Sequence, residues 1–268
     1  GRGHIWLNAN EHHSAPAITP GNSPLNRYPE PQPAAVLDAC ARYLGVAPEN
    51  LLITRGGDEG IELLIRTFSE PGTGSILYNP PTYGMYAVSA ATHGVNFQGM
   101  LDCIKAARPG SVFVLHACCH NPTGVDLDDA QWDQVLAALQ SAGQVPFLDI
   151  AYQGFGDGIE EDGAVVRKFA ASSITFLVSS SFSKSFSLYG ERVGALTVVL
   201  PSADEATRVQ SQLKRVIRSN YSNPPTHGAQ VVQRVLNDEA LRQGWEAELG
   251  AMRVRIKAMR KALVAGLA

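Results

Sequence analysis

The chain has 268 residues, 45% of them apolar and 18% charged, and a net charge of −3. That length allows one large domain or two modest ones with a substantial core. The charge balance gives no electrostatic case for a nucleic-acid or anionic-membrane partner, and no apolar run approaches the length of a membrane span.

Residues 14–33 are rich in Pro, Ser and Asn and read as an irregular arm, so an N-terminal arm is expected over 1–32. PAAVLDACARYLG (33–45) opens on Pro and closes on Gly, and Val36, Leu37, Cys40 and Leu44 keep helical spacing. Strands and helices then alternate. LLIT (51–54) is a strand and GDEGIELLIRTF (57–68) a helix; SILY (75–78) is a strand and GMYAVSAATH (84–93) a helix. SVFVLHA (111–117) is a strand, followed by the helix LDDAQWDQVLAALQSAG (127–143), with Trp132, Val135, Leu136 and Leu139 on one face. VPFLDI (145–150) is a strand, GAVVRKFA (163–170) a weaker helix, and ITFLV (174–178) and GALTVVL (194–200) are strands. The segment Glu160, Glu161, Asp162 reads as a solvated acidic turn. From 202 onward the pattern is helical, and Leu241, Trp245, Leu249, Met252, Ile256, Met259 and Leu263 mark one long amphipathic helix over 238–267. The alternation predicts an α/β fold, a three-layer sandwich around a mostly parallel sheet.

The four cysteines, Cys40, Cys103, Cys118 and Cys119, make no disulfide framework. GRGHIWLNANEHH lacks the apolar stretch of a secretory signal, so the expected location is a reducing cytoplasm. HACCH (116–120) gathers His and Cys, but its spacing departs from zinc motifs. Strand alternation would aim these residues to opposite sides, so no metal is expected.

Ligands in open α/β sheets sit outside the carboxyl ends of strands. RGGDEG (55–60), HACCHNPTG (116–124), Asp149 with Tyr152, and Lys184 all fall at such ends. Lys184 lies in SSSFSKSFSLYGERVG (179–194), with no acid within six positions. A lysine among apolar and small groups favours its neutral amine, which can condense with an aldehyde to a Schiff base. Pyridoxal phosphate is such an aldehyde, and it also needs a phosphate cradle and an acid facing its ring nitrogen. Gly57 and Asp58, opening a helix, could offer N–H groups to the phosphate, and Arg192 could pair with it. Asp149 could face the ring nitrogen, Asn121 and Tyr152 could hold the phenolic oxygen, and Tyr83 could stack on the ring. Each residue also has an ordinary reading: a solvated lysine, a capped turn at RGGDEG, an N-cap at Asp149 and a core aromatic at Tyr83.

Together the segments resemble fold-type I pyridoxal-phosphate aminotransferases. HACCHNPTG, PFLDIAYQGF, SFSKSFSLYGERVGAL and IRSNYSNPPTHGAQVV resemble the aspartate and aromatic (tyrosine) aminotransferases, over residues 97–268. The resemblance implies that Lys184 is the Schiff-base lysine and that Ser181 and Arg192 bind the cofactor phosphate. It implies that Asp149 faces the pyridine nitrogen, with Asn121 and Tyr152 at the phenolic oxygen. Arg218 matches an arginine that reaches the neighbouring subunit's site and grips a distal substrate carboxylate. WLNANE (6–11), LNRYPEPQP (25–33), TRGGDEGIELLIRTF (54–68) and ILYNPPTYGMYAVSA (76–90) instead resemble histidinol-phosphate aminotransferases, over residues 1–95. That likeness maps Gly57 and Asp58 to the phosphate loop, Tyr83 to the ring-stacking aromatic, and Tyr28 to a tyrosine that reaches the partner's cofactor phosphate. The change near HGVNFQGM (93–100) implies a hybrid or engineered chain.

The resemblance implies a cofactor-binding large domain over 33–235 and a helix over 236–268 leading toward a C-terminal small domain that is largely missing. No residue here matches the small-domain arginine that clamps the substrate α-carboxylate. The expected activity is transfer of an amino group from an aromatic or acidic amino acid to 2-oxoglutarate by a ping-pong route, in a homodimer. Alternatives are a histidinol-phosphate aminotransferase, a cofactor-binding scaffold with little or no turnover, or a decarboxylase, racemase or lyase on the same fold.

Overall fold

The computed structural model describes residues 30–68, 76–78, 97–121 and 123–267. The expected helix at 84–93, most of the arm, Tyr28 and Tyr83 lie outside the described residues. Helix α1 (Ala34–Leu44) is followed by β1 (Leu51–Thr54), α2 (Gly57–Phe68) and β2 (Ile76–Tyr78). Next come α3 (Phe97–Ala106), β3 (Val112–His116), α4 (Asp129–Ser141) and β4 (Val145–Ile150). Two short helices, α5 (Ile159–Asp162) and α6 (Ala164–Ala170), lead to β5 (Phe176–Ser181) and β6 (Gly194–Val199). The chain continues as α7 (Ala203–Tyr221), α8 (His227–Asn237) and α9 (Glu239–Leu267).

Among the described residues the strands form one six-stranded sheet in the order β1-β6-β5-β4-β3-β2. Strands β2 to β5 pair in parallel, and β6 runs antiparallel to both β5 and β1. The central strands are buried on both faces, which is why they read as continuous apolar runs. Their alternate residues enter opposite layers. Phe113, Leu115, Leu148, Ile150, Phe176 and Val178 join α3, α4 and α6 in one core. Val114, Phe147, Leu177, Leu196 and Val198 face α2 and α7 in another. A third cluster closes the β1–β6 end with α1 and α8. Three layers follow directly from this pleat.

Local signals fix several boundaries. Gly45 takes φ 69° at the end of α1 and returns its N–H to the Ala41 carbonyl. Asp128 and Gln131 form a reciprocal capping box at the start of α4. Helix α3 begins inside the stretch where the resemblance changes, and its Leu101 and Ile104 are buried at helical spacing.

Two expectations need correction. The acidic segment 160–162 is not a solvated turn: all three residues lie in the short helix α5, and Asp162 is only 7% exposed. Its carboxylate accepts the N–H groups of Gly154, Gly156 and Asp157 at 2.7, 2.9 and 2.9 Å. Composition makes an acidic triplet look solvated, whereas a loop folding back over it makes one acid an anchor. Helix α9 forms as expected, but its apolar stripe is buried only at the start, at Trp245 and Leu249. Further along, Ile256, Met259 and Leu263 are 44%, 52% and 63% exposed.

The Asp162 anchor joins three otherwise orphaned donors, and a charged acceptor makes each hydrogen bond stronger than a neutral one. Asp162→Ala is expected to lower the unfolding free energy by about 3 kcal/mol in urea denaturation.

Candidate functional site

Strand β5 ends at Ser181, and the chain then folds into a tight turn before returning as β6. Phe182 donates its N–H to the Val193 carbonyl at 3.2 Å, Phe186 to the Phe182 carbonyl at 3.2 Å, and Ser187 to the Lys184 carbonyl at 3.1 Å. Phe182 is buried, and Phe186 stacks on Trp245 of α9 with ring centroids 4.3 Å apart. The indole N–H of Trp245 donates to the Ser185 carbonyl at 2.6 Å. Two aromatic anchors therefore hold the backbone on either side of Lys184. Its side chain enters a cleft of about 130 Å³ at the carboxyl ends of β4 and β5.

Every described residue predicted for the cofactor lines this cleft: Gly57, Asp58, Asn121, Asp149, Tyr152, Ser181, Lys184 and Arg192. Asp149 is the penultimate residue of β4, in register with His116 on one side and Ser179 on the other, and it is 6% exposed. It shares the sheet face of Phe147, so it points toward α2. Tyr152 follows the strand; its hydroxyl pairs with Asn121, and its ring centroid lies 5.2 Å from Lys184 Nζ. Burial, with the Asp149 charge adding to it, raises the Tyr152 pKa.

The opposite wall is the entry to α2. Gly56 has φ 104°, a conformation that suits glycine. Thr54 Oγ1 donates to the Gly56 carbonyl at 2.9 Å, and Ser179 Oγ to the Gly57 carbonyl at 2.8 Å. Glu59 accepts the Arg55 backbone N–H at 2.6 Å and its Nε at 3.1 Å, and Arg55 lies over the Tyr221 ring at 3.5 Å. The loop is thus tied down from β1, β5 and α7, leaving first-turn N–H groups of α2 toward the cleft. Such a terminus carries partial positive charge and favours anions. Arg192 sits at φ 51°, donates to the Tyr189 carbonyl at 3.2 Å and contacts Asp58 at 3.4 Å.

This arrangement brings an anion-binding helix end, a guanidinium, a buried carboxylate and a primary amine to one cleft. Sequence reasoning did not assign His116, Ser183 or Tyr189 to the cleft, although all three line it. Only the strand-end position of His116 signalled it beforehand. Arg218 lies elsewhere, on α7, where it hydrogen-bonds Ser222. Just beyond α7, Asn223 donates its N–H to the Tyr221 carbonyl at 2.9 Å.

HACCH differs from the expectation in one respect. The strand stops at His116, and Cys119 adopts φ 51°, so the alternation expected across HACCH does not hold. The thiols of Cys118 and Cys119 and the Asp162 carboxylate come within 4.8 Å of one another. Asp162 already accepts three N–H groups, and the hydrogen bond with Cys119, together with burial, pushes the Cys118 thiol far up, so it stays protonated. The His116 and His120 rings lie 4.7 Å apart, and burial lowers both pKa values from 6.5. The unfolded chain therefore takes up these protons first. The stability they contribute is full above pH 6.5 and is lost as the pH falls below it. The expected outcome is an unfolding free energy that declines over that window, with a shallower slope in His120→Asn. Gly194 gives a second test: a Cβ there would lie 2.6 Å from the Ser180 carbonyl oxygen and 2.7 Å from the Gly56 backbone. Gly194→Ala is expected to lose about 2 kcal/mol or more of stability, read from the urea midpoint.

The chain matches the family described as aminotransferase class I and II over residues 7–268. It is 65% identical over 179 residues to an aspartate aminotransferase of Pseudomonas aeruginosa, covering 67% of this chain and 45% of that protein. It is 54% identical over 183 residues to the aromatic-amino-acid aminotransferase of Escherichia coli, covering 68% and 46%. Among solved structures, the aromatic-amino-acid aminotransferase of Burkholderia pseudomallei, covalently bound to pyridoxal phosphate, superposes with a TM-score of 0.79. It has 43% identity and covers 90% of this chain and 67% of that one. The aspartate aminotransferase of Trypanosoma cruzi gives 0.80 at 34% identity, covering 91% and 68%. The chain spans about half the length of the curated relatives it matches. With the family match running over nearly all of its length, this chain belongs to the class I and II aminotransferases.

Proposed function

We propose that this chain carries the cofactor site of a pyridoxal-phosphate-dependent aminotransferase that moves an amino group from an aromatic or acidic amino acid to 2-oxoglutarate by a ping-pong route. The observation that carries this reading is the meeting of Lys184, buried Asp149 and the α2 entry in one cleft. The relatives named aspartate, tyrosine and aromatic aminotransferases support this substrate class over histidinol phosphate.

The residues present fit the cofactor. Gly57 leaves space that a side chain would fill, since a Cβ there would lie 3.3 Å from Ser179 Oγ and 3.5 Å from Ser181 Cβ. The α2 N-terminus, Ser181 and Arg192 would hold the phosphate, Asp149 would pair with the ring nitrogen, and Asn121 and Tyr152 would hold the phenolic oxygen. When bound, the cofactor supplies a covalent hold on the substrate nitrogen and an electron sink. Asp149, a buried carboxylate, would keep that sink protonated. Lys184 Nζ, which lines the same cleft, would be the base that takes the proton from the substrate α-carbon and returns it. Phe182, Phe186 and Trp245 restrain the backbone on either side of it. Arg218 lies outside the cleft of its own subunit and would serve a partner's site in a homodimer, as Tyr28 would. No helix among the described residues is long and apolar enough to cross a membrane.

Pyridoxal phosphate added to the protein and reduced with borohydride is expected to leave a pyridoxyl group on Lys184, located by peptide mass analysis. Lys184→Ala should lose the label, and equal labelling of both proteins would overturn the assignment. Asp149→Ala is expected to weaken cofactor binding about 10- to 100-fold, the scale of a lost charge-assisted hydrogen bond. Turnover of aspartate or tyrosine with 2-oxoglutarate separates the aminotransferase from a scaffold that holds cofactor without reaction.

A further inference from the structure

A larger cleft of about 520 Å³ opens beside the first and shares Asn121, Tyr152, Lys184 and Tyr189 with it. Helix α9 contributes Ile256, Lys257 and Arg260 to its lining, and the turn after β3 contributes Cys119 and His120. The cofactor reading gives no role to the two thiols of that turn. Cys119 is half-buried and reaches the cleft, whereas Cys118 is 6% exposed and packs into the core. On a strand, neighbouring side chains point to opposite faces. Here the strand has ended, Cys119 takes φ 51°, and the two sulfurs and the Asp162 carboxylate lie within 4.8 Å of one another. Asp126 holds the turn in that form, accepting the N–H groups of Cys119 and His120 at 2.6 and 2.8 Å. Gly124 closes it by donating its N–H to the His120 carbonyl at 2.7 Å. The other two thiols of the chain are on helices, Cys40 buried in α1 and Cys103 exposed on α3.

We propose that Cys118 and Cys119 form a vicinal dithiol site that captures a trivalent organoarsenical as a one-atom bridge between their sulfurs. A disulfide fits this pair poorly. Consecutive Cα atoms lie about 3.8 Å apart across a trans peptide, short of the roughly 4.4–6.8 Å that a disulfide adopts. A divalent metal fits poorly as well, because it binds thiolates. Cys118 is held protonated by its hydrogen bond with Cys119 and by burial, and Asp162 is already engaged by three N–H groups. An arsenoxide meets neither obstacle. Two S–H bonds and one As=O bond are exchanged for two As–S bonds, and the two thiol protons leave with the oxide as water. Arsenic stays trivalent throughout, so nothing is oxidised or reduced. Cys119 reacts first, from the cleft. Closure on Cys118 is then intramolecular and strengthens the hold about 100-fold or more over a single thiol. The organic group on the arsenic remains in the larger cleft, which Lys184 also lines.

The test adds phenylarsine oxide to the full chain under native conditions, after reduction with a phosphine, and follows it with a wash in excess monothiol. The intact mass is expected to rise by one phenylarsine oxide less one water, and dimercaptopropanol should strip the group off. Peptide mapping should place it on the peptide that carries residues 118–119. Cys119→Ser and Cys118→Ala are each expected to hold the arsenical about 100-fold more weakly and to lose it in the wash, whereas Cys103→Ser should keep it. Mapping of the parent chain decides the site even where a variant does not fold. Zinc titrated by calorimetry should show no site that depends on Cys119. The proposal is overturned if the parent chain retains no arsenical, if the label maps away from the pair, if folded Cys119→Ser keeps it through the wash, or if zinc binds the parent chain and not Cys119→Ser.

Discussion

The site depends on a close approach that only glycine permits. At the start of β6, Gly194 lies against the Ser180 carbonyl and the Gly56 backbone, with no room for a Cβ. Three segments meet there: the loop entering α2, the end of β5 that leads to Lys184, and the turn that carries Arg192. Strand β6 is also the antiparallel one, paired to β5 on one side and β1 on the other. Reversing it lets the chain turn back after Lys184 and deliver Arg192 to the same sheet edge.

The polar groups at that edge are held by the apolar layers around them. Leu148 and Ile150 are buried on one face of β4, while Phe147 and Asp149 take the other. A carboxylate on a central strand has little freedom to leave, because the strand is hydrogen-bonded on both sides. The loop at Gly56–Asp58 is fixed with equal economy by Thr54, Ser179 and the Arg55–Glu59 pair. Such preorganisation places charge before any ligand arrives and avoids reorganisation when one does.

Helix α9 links the two clefts. Its first turns bury Trp245 and Leu249, and Trp245 grips the backbone beside Lys184. Farther along, Lys257 and Arg260 face the larger cleft while several apolar side chains remain exposed. This one 29-residue helix therefore both holds the backbone beside the amine and carries those cations.

Much of this was legible in the residues. Runs such as VPFLDI identify doubly buried parallel strands, and strand-end polar residues marked Asp149, Asn121 and Lys184 for one edge of the sheet. The likeness of SFSKSFSLYGERVGAL to an aminotransferase segment assigned roles to Lys184 and Arg192 before any geometry was known. Other features were decided by tertiary structure, because they depend on which loops meet. Asp162 became an anchor only when residues 154–157 folded over it, and His116 joined the cleft only through its register with Asp149. The sequence by itself determined the alternating elements, the apolar faces and the set of chemical groups, since periodicity and residue type are local properties. Tertiary structure alone decided that β6 runs backward, that Arg218 stands outside the cofactor cleft, and that Asp149, Lys184 and Arg192 line one cleft, since these follow from contacts between segments that no local pattern encodes.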